Sequence, residues 1–283
     1  LTRRVTYGTL VRLSVIVIVG LFLYFAGVKG AYVGAGAMSL AVLIEAIATR
    51  MMVSSSLTNI LKKEDTVNGN LRLRSIAKFY FPLALTSILS LGIHPFVTFF
   101  LGRSYMALES LAVLPVVNSF VFIFRSPGLS FQEVNIALIG KDRQNYRVLR
   151  NFAIFLAIIV TVLITVMAFT PLADLWFINV SGLSNELADL AYLPLKILIL
   201  LPALTVLLNY QRSLLIINGN TGPISVATAV ELTGVIMVLL LCVSFLNLIG
   251  VVAAAISYMV GRTMSNLYLT PKQSAIVKSW NVR

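Results

Sequence analysis

The stretch that decides the fold of this chain runs from Phe79 to Ser104 and reads FYFPLALTSILSLGIHPFVTFFLGRS. It is long and apolar enough to cross a membrane, since a spanning helix needs about 20 apolar residues. It nevertheless contains Pro82 near its start and the pair His94-Pro95 two-thirds of the way along. Helix breakers and a titratable ring are costly against lipid. We therefore expect a bent membrane helix whose polar face lies on a central cavity.

The amino-acid composition extends this interpretation to the whole chain. Of its 283 residues, 59% are hydrophobic and 11% are charged, and the mean hydropathy is +0.95. A soluble domain carries about 25% charged residues, so most of this surface must face lipid. We expect an all-α, polytopic membrane protein with about eight transmembrane helices. The candidate spans are 9–26, 31–53, 78–101, 109–139, 151–172, 191–217, 225–246 and 250–269.

The net charge of +12 is distributed in a way that indicates membrane topology. Basic residues are concentrated in alternate connections, namely the N-terminal edge, segments 54–78 and 141–150, and the C-terminal tail. The positive-inside rule places such connections in the cytoplasm. We therefore expect both ends of the chain to be cytoplasmic, in a plasma (inner) membrane. Because these cations do not form one surface, the expected partner is the lipid bilayer and not nucleic acid.

One long polar stretch, SSSLTNILKKEDTVNGNLRLRS, separates two hydrophobic regions and is typical of a linker. An amphipathic surface helix at 71–79 is the alternative for its end. The expected organisation is four-part: the last two helices of one bundle, a cytoplasmic linker, a six-helix bundle and a cytoplasmic tail. These parts cover residues 1–53, 54–77, 78–270 and 271–283.

A weak internal repeat supports the division into two bundles. With a shift of 220 residues, four positions correspond: Phe25 with Phe245, Gly30 with Gly250, Gly34 with Ala254 and Ala35 with Ala255. Chance similarity between apolar sequences is the alternative. A real duplication places four further spans before the first residue. The expectation is then an N-terminally truncated chain without a signal peptide, whose partner is the missing N-terminal bundle of the same protein.

Prolines inside the spans are the first candidates for function. A proline removes one backbone hydrogen bond and clashes with the preceding turn. Discontinuous helices are common at transporter binding sites, where they expose backbone groups near mid-membrane. The alternative is that proline is simply more frequent in membrane helices. The predicted bend positions are Pro95, Pro115, Pro127, Pro194 and Pro202.

Ionisable groups inside the spans are the second candidates, because a buried charge is costly in a bilayer unless it has a partner or water. Those in or near spans are Glu45, His94, Arg125, Glu133, Lys196, Arg212 and Glu231. A cavity lined by the cationic members of this set would attract an anion. In the structural alternatives, Lys196 and Arg212 extend to an interface and Glu133 pairs with Arg125. Asn118 supplies polar capacity, either to a substrate or between helices.

His94 is the only histidine, and histidine titrates near neutral pH. It is therefore a candidate proton-coupling group, or alternatively a hydrogen-bonded structural residue. We expect no cofactor and no metal, since no His, Cys, Asp and Glu cluster has metal-ligand spacing. H+ or Na+ is the expected coupling ion. No enzymatic activity is expected, because nucleophile-elbow and phosphate-loop motifs are absent from the sequence.

Short motifs in the same region resemble the progressive ankylosis (ANK) proteins. They are FPLAL at 81–85, a basic residue before Pro95, Arg103 closing that span, and PLKILILLP at 194–202. Glu109 and Glu133, near the two ends of the next span, also fit the ANK pattern. Before Pro95 this chain has His where the ANK pattern has Arg.

More broadly, two six-helix bundles with a cytoplasmic linker resemble the multidrug, oligosaccharidyl-lipid and polysaccharide (MOP) exporter superfamily, which includes the MATE transporters. This resemblance implies a secondary-active exporter that works by alternating access. The expected substrate is a small organic or phosphate-type anion. The residues expected along its path, or in coupling, are His94, Arg125, Glu133, Lys196, Asn118 and Arg212.

Other functions remain open at this point. Within the same superfamily, the alternatives are a flippase for lipid-linked oligosaccharides and a cation-coupled multidrug exporter. Outside it, the alternatives are a structural membrane subunit and a membrane-embedded enzyme that modifies lipid. An acidic cavity would favour the drug exporter, and a closed bundle without a cavity would favour the structural subunit.

Overall fold

A computed structural model describes residues 2–61, 73–139 and 145–281, and within these ranges the fold is built from α-helices. Of the predicted linker 54–77, residues 62–72 lie outside the described residues, whereas 54–61 end the helix before it and 73–77 begin the helix after it. Most of the basic side chains on which the predicted orientation depends are also outside the described part. The topology of the chain ends therefore stays a prediction.

Ten α-helices follow one another in the described part of the chain. Two of them continue without interruption into a short π-helix, and two are joined by a 3-10 turn. The helices are α1 (Thr2–Phe25), α2 (Gly30–Leu61), α3 (Leu73–Leu101), α4 (Ala107–Ile139), α5 (Tyr146–Phe169), α6 (Leu172–Asp174, continuing as a π-helix to Val180), α7 (Asn185–Ile197), α8 (Leu201–Ile217, after the 3-10 turn Leu198–Leu200), α9 (Gly222–Leu240, continuing as a π-helix to Phe245) and α10 (Gly250–Asn281).

Seven helical segments of the described residues are long and apolar enough to cross a membrane, which confirms an all-α, polytopic membrane protein. They coincide with the first seven predicted spans, and the sixth, Asn185–Ile217, comprises α7 and α8. The eighth predicted span lies in α10 but is not among them. The reason is that Arg262 and Asn266 interrupt the apolar sequence of α10. Its first turns are nevertheless buried by protein, from Val251 to Ala255.

The described chain divides into two compact units, Leu1–Asn70 and Leu71–Arg283. In the first unit, α1 packs along α2 through small residues, which allow helices to approach closely in lipid. Ala37 and Ala41 are buried in this contact. Farther along the pair, Arg12 lies 3.4 Å from Glu45, with both side chains partly exposed.

The second unit is a bundle in which α8 is the central element. Helices α4, α5 and α10 pack against α8, and α3 and α10 pack against α9. The crossing of α4 and α8 is close because Gly128 has no side chain. A Cβ atom there would lie 2.9 Å from Val206 Cγ2 and 3.1 Å from the Val206 backbone nitrogen. This contact fixes the register of α4 on α8.

The α-helix is interrupted between Pro194 and Pro202, where the sequence predicts a bend. The α-helical pattern gives way to the 3-10 turn Leu198–Leu200 before α8 begins. Proline at the second position of α8 fits this arrangement, because the first turn of a helix does not need its N–H groups. Because a 3-10 turn has three residues per turn, the directions of the side chains shift at this point of the segment Asn185–Ile217.

Each of the other predicted bend prolines lies within a helix that continues on both sides of it. Pro95 lies within α3, and Pro115 and Pro127 lie within α4. Pro127 cannot donate to the carbonyl of Ile123, four residues earlier. The hydroxyl of Ser126 donates to that carbonyl at 2.9 Å. A neighbouring polar side chain thus satisfies the backbone group that the proline frees.

The turn regions of the predicted repeat correspond in the structure. The helical segment before each turn ends at Phe25 or Phe245, and the helix after it begins at Gly30 or Gly250. These boundaries are 220 residues apart, which is the shift that the sequence suggests. The pairs α1–α2 and α9–α10 therefore share the length of their connection, in addition to their pattern of small residues, although the first turn follows an α-helix and the second a π-helix.

The close contact at Gly128 yields the first test. We expect Gly128→Ala to destabilise the second unit by about 1–3 kcal/mol, because overpacking forces backbone shifts. The measurement is the free energy of unfolding in mixed micelles. Gly92→Ala in α3 is the matched control, since a Cβ atom there meets nothing within 4 Å. Equal stability of the two variants would contradict a close α4–α8 crossing.

Candidate functional site

A polar cavity of about 320 Å³ lies within the second unit, among α3, α4, α8, α9 and α10. Most of its lining residues carry polar or charged side chains. The polar lining consists of Ser90, His94, Asn118, Arg125, Asn209, Arg212, Glu231, Tyr258 and Arg262. The apolar lining consists of Ile93, Phe122, Leu129 and Leu201.

Helix α4 contributes one continuous face to the cavity. Asn118, Phe122, Arg125 and Leu129 follow one another at intervals of four, three and four residues. Such intervals place side chains on the same side of an α-helix. Arg125 Nε donates a hydrogen bond of 3.2 Å to Thr205 Oγ1 on α8. This bond holds the guanidinium between the two helices and against the cavity.

Helix α8 brings Arg212 and Asn209 to the same cavity, three residues apart. The Nη2 atom of Arg212 donates to Thr228 Oγ1 on α9 at 2.9 Å. Among the described atoms, its buried Nε has no hydrogen-bond partner. Asn209 uses its Nδ2 to donate to the Thr205 carbonyl at 2.9 Å. The Arg212 side chain therefore has donor capacity that the described protein atoms do not use.

Helices α9 and α10 supply a buried ion pair. Arg262 Nη2 lies 2.8 Å from Glu231 Oε1, and the two side chains are 13% and 7% exposed. Glycines make this proximity possible, since a Cβ atom at Gly261 would lie 2.7 Å from Val235 Cγ2 and 2.9 Å from the Glu231 carbonyl oxygen. At the same crossing, a Cβ atom at Gly234 would lie 3.4 Å from the Gly261 Cα atom. The close approach of the two backbones thus puts the carboxylate beside the guanidinium.

The charges around the cavity do not balance. Three arginines, Arg125, Arg212 and Arg262, line it together with one acid, Glu231, among the described residues. One carboxylate neutralises one guanidinium. Two positive charges therefore remain in a low-dielectric region, where each donates to a threonine hydroxyl group. Such a lining produces a positive potential that attracts an anion.

Four of the six predicted path residues line this one cavity: His94, Asn118, Arg125 and Arg212. The histidine of the opening sequence stretch thus lies near two arginines that are distant in sequence. Whether these residues contact a substrate stays a prediction, but the expected convergence of polar groups is present in the structure.

The other two predicted residues do not line the cavity. Glu133 lies on the exposed surface of α4, and Arg125 hydrogen-bonds to Thr205 instead of to this acid. Lys196 is exposed on α7, with its Nζ 5.3 Å from the centroid of the Phe169 ring. Neither residue contributes to the charge balance of the cavity.

Sequence reasoning missed Arg262 and Tyr258 as members of the site. Arg262 lies in the middle of the eighth predicted span, so its position was itself the signal that could have found it. Glu231 was recognised as an ionisable residue within a span but was not assigned to the site. Its importance depends on the α9–α10 crossing, which the sequence alone does not specify.

No protein-family model, no curated protein sequence and no solved structure matches this chain. Fold and composition show the class, an all-α, polytopic membrane protein. Membership of the ANK-like or MATE-like transporters stays a prediction from sequence.

The charge imbalance predicts an asymmetric response when the buried pair is broken. Glu231→Gln removes the acid and leaves three cations together, so we expect it to cost about 3–5 kcal/mol of stability. Arg262→Met leaves Glu231 near two other arginines, so it should cost less. The double variant should cost less than the sum of the two, because it removes both charges.

The measurement is a double-mutant cycle on the free energy of unfolding in mixed micelles. The control is the partly exposed pair Arg12–Glu45 of the first unit, where Glu45→Gln should cost about 0–1 kcal/mol. A larger loss in Arg262→Met than in Glu231→Gln would contradict the charge balance described above.

Proposed function

We propose that this protein is a secondary-active transporter that exports a small organic or phosphate-type anion by alternating access. The observation that carries the proposal is the arginine-rich cavity among membrane helices, where three guanidinium groups face one carboxylate. Buried cations without matching acids are expensive in a bilayer. A bound anion would supply the missing negative charge.

The size of the cavity favours a small substrate. Ligand pockets usually measure about 300–1,000 Å³, and this one, at about 320 Å³, lies near the lower limit. Its lining is rich in donors, since Asn118, Asn209 and Tyr258 accompany the arginines. Guanidinium groups bind carboxylates and phosphates in a bidentate manner. A compact carboxylate or phosphate-type anion is therefore the best match for the site.

The ion pair suggests how binding is linked to movement. Arg262 is held by Glu231 in the described state. An entering anion competes with Glu231 for this guanidinium, so its binding weakens the contact between α9 and α10. Substrate occupancy thereby changes the relative stability of two helix arrangements, which a ligand must do to drive a conformational change.

The proposal also specifies a membrane topology, which the seven apolar helices alone do not define. We place α10 across the membrane as an eighth helix, because two of its polar residues, Tyr258 and Arg262, line the cavity inside the bundle. The pairs α1–α2 and α9–α10 are proposed as equivalent elements of two related bundles of the MOP type, with the chain ends and linker in the cytoplasm. The matching helix boundaries at Phe25 and Phe245 support this equivalence.

Other functions fit the cavity less well. A cation-coupled drug exporter needs acids to hold an organic cation, and here the single lining acid of the described residues is already paired. An enzyme needs an activated nucleophile or a general acid–base pair. The polar lining consists mainly of arginines and amides, which bind charge, and its one acid among the described residues, Glu231, is held by Arg262. We therefore propose that the protein transports its substrate without modifying it chemically.

The decisive test is uptake of radiolabelled inorganic phosphate, pyrophosphate and citrate by vesicles containing the purified full-length protein. Arg125→Ala and Arg212→Ala should each raise the anion concentration needed for half-maximal uptake by about tenfold to hundredfold, since each removes a charge-assisted hydrogen bond. Lys196→Ala is the matched control, because it removes a cation that does not line the cavity. Full activity in both arginine variants, or an equal loss in Lys196→Ala, would exclude the cavity as the substrate site.

His94 yields a test of coupling. The histidine lines the same cavity as Arg125, Arg212, Glu231 and Arg262. In the proposed function it is the group that couples anion export to H+. His94→Gln should therefore abolish the dependence of anion uptake on an imposed pH gradient, while uptake without a gradient is preserved. An unchanged dependence in His94→Gln would assign coupling to another group.

A further inference from the structure

A second, larger cavity lies on the opposite side of α8 from Arg125, Arg212 and Arg262. It is a groove of about 620 Å³ between α5 and α8, here called the α5–α8 groove. Its walls are mostly Ala, Ile, Leu and Val. The groove exists because α5 presents the small residues Ala153, Ala157 and Thr161 at intervals of four along one side. We propose that it binds one acyl chain of an anionic phospholipid from the surrounding bilayer.

The length of the groove matches one leaflet. Twelve residues separate Arg150 from Val162 along α5, which corresponds to about 18 Å of helix. Ten residues separate Leu200 from Tyr210 along α8, which corresponds to about 15 Å. The hydrocarbon core is about 30 Å thick, so one leaflet contributes about 15 Å. The groove therefore accommodates an acyl chain from its glycerol end to near the bilayer centre.

One end of the groove is polar, and aromatic residues mark it as the interfacial end. Tyr146 begins α5, and its ring centroid lies 6.4 Å from that of Tyr210 and 5.7 Å from that of Trp280. Tyrosine and tryptophan are enriched where membrane meets water. Arg150 and Tyr210 lie at this same end of the groove. The cation is thus placed at the depth of the lipid headgroups.

Charge decides which lipid the groove prefers. Arg150 is exposed, and it is not part of either ion pair found among the described residues. Gln273 of α10, half-buried, adds an amide at the edge of the groove. A guanidinium and an amide are suitable donors to a phosphodiester and its headgroup. A lipid with net negative charge gains more from Arg150 than a zwitterionic lipid does.

The occupied groove has a consequence for the bundle. Val206 and Tyr210 line the groove on α8, and both are almost completely buried. Val206 is also the residue against which Gly128 of α4 packs. A lipid chain therefore covers the outer side of the helix that carries Arg212 and Asn209 on its inner side. Bound lipid stabilises α8 without entering the polar cavity.

The experiment uses the full-length protein in nanodiscs that contain a phospholipid with a diazirine on its acyl chain. After irradiation, modified residues are identified by peptide mass spectrometry. With a phosphatidylglycerol probe, we expect labelling at 150–162 and 200–210 that an excess of unlabelled phosphatidylglycerol removes. Phosphatidylcholine should compete about fivefold less well, the effect of one cation near a charged membrane surface. Inorganic phosphate should not compete, because it has no acyl chain.

Two pairs of variants separate a built site from general contact with lipid. Arg150→Gln should remove the preference for phosphatidylglycerol, whereas Arg147→Gln, one turn earlier on α5 and outside the groove, should preserve it. Ala157→Leu should abolish labelling within the groove by filling it, whereas Ile159→Phe on the outer side of α5 should not.

Equal competition by the two lipids, an equal effect of the two arginine variants, or labelling spread along all exposed helices would each overturn the proposal. Anion uptake by the polar cavity is measured separately, so failure of one proposal leaves the other unaffected.

Discussion

The contact between α9 and α10 is the constraint on which the site depends. Two glycines, Gly234 and Gly261, let the backbones approach closely enough for Glu231 and Arg262 to form a buried ion pair. A Cβ atom at Gly261 would lie only 2.9 Å from the Glu231 carbonyl oxygen, so a side chain there would force the two helices apart and weaken the buried pair. The remaining arginines then add to a charge balance that this pair sets. The pair itself is neutral, so the positive character of the cavity comes from the two arginines that have no acid among the described lining residues.

Two cavities of different chemistry share α8. Its inner side presents Asn209 and Arg212 to a polar space, and its outer side presents Val206 and Leu207 to an apolar groove. The same helix follows a 3-10 turn that changes the phase between α7 and α8. The polar cavity and the apolar groove are thus separated by the thickness of one helix. Any movement of α8 would therefore change the shape of the polar cavity and of the groove together.

Much of this arrangement could be predicted from sequence, because spacing along a helix sets direction. Asn118 and Arg125 are seven residues apart, two helical turns, and they line the same cavity. Glu133, eight residues beyond Arg125, is rotated by about 80° and lies on the exposed surface. Lys196 and Arg212 are separated by the 3-10 turn Leu198–Leu200, so their spacing along the chain does not set their relative direction. Position within a span therefore does not by itself indicate which charges share a cavity.

What the sequence could not supply was the relation between helices. His94 and Arg125 lie on different helices, and nothing in their separation along the chain indicates that they share a cavity. Arg262 was missed for the same reason, since its partner Glu231 lies on the preceding helix and their meeting depends on the register set by Gly261. The all-α class followed from composition alone, whereas the site required tertiary packing.

The polarity of α10 has a consequence for biogenesis. An arginine at the centre of a helix costs about 2.5–3.5 kcal/mol on insertion scales, and α10 carries Arg262 and Asn266 in its apolar part. In the proposed topology this helix partitions poorly by itself when it leaves the translocon. Helix α9 is synthesised immediately before it and brings the carboxylate that neutralises Arg262. The two helices are therefore suited to enter the bilayer together as a hairpin, with their charges already matched.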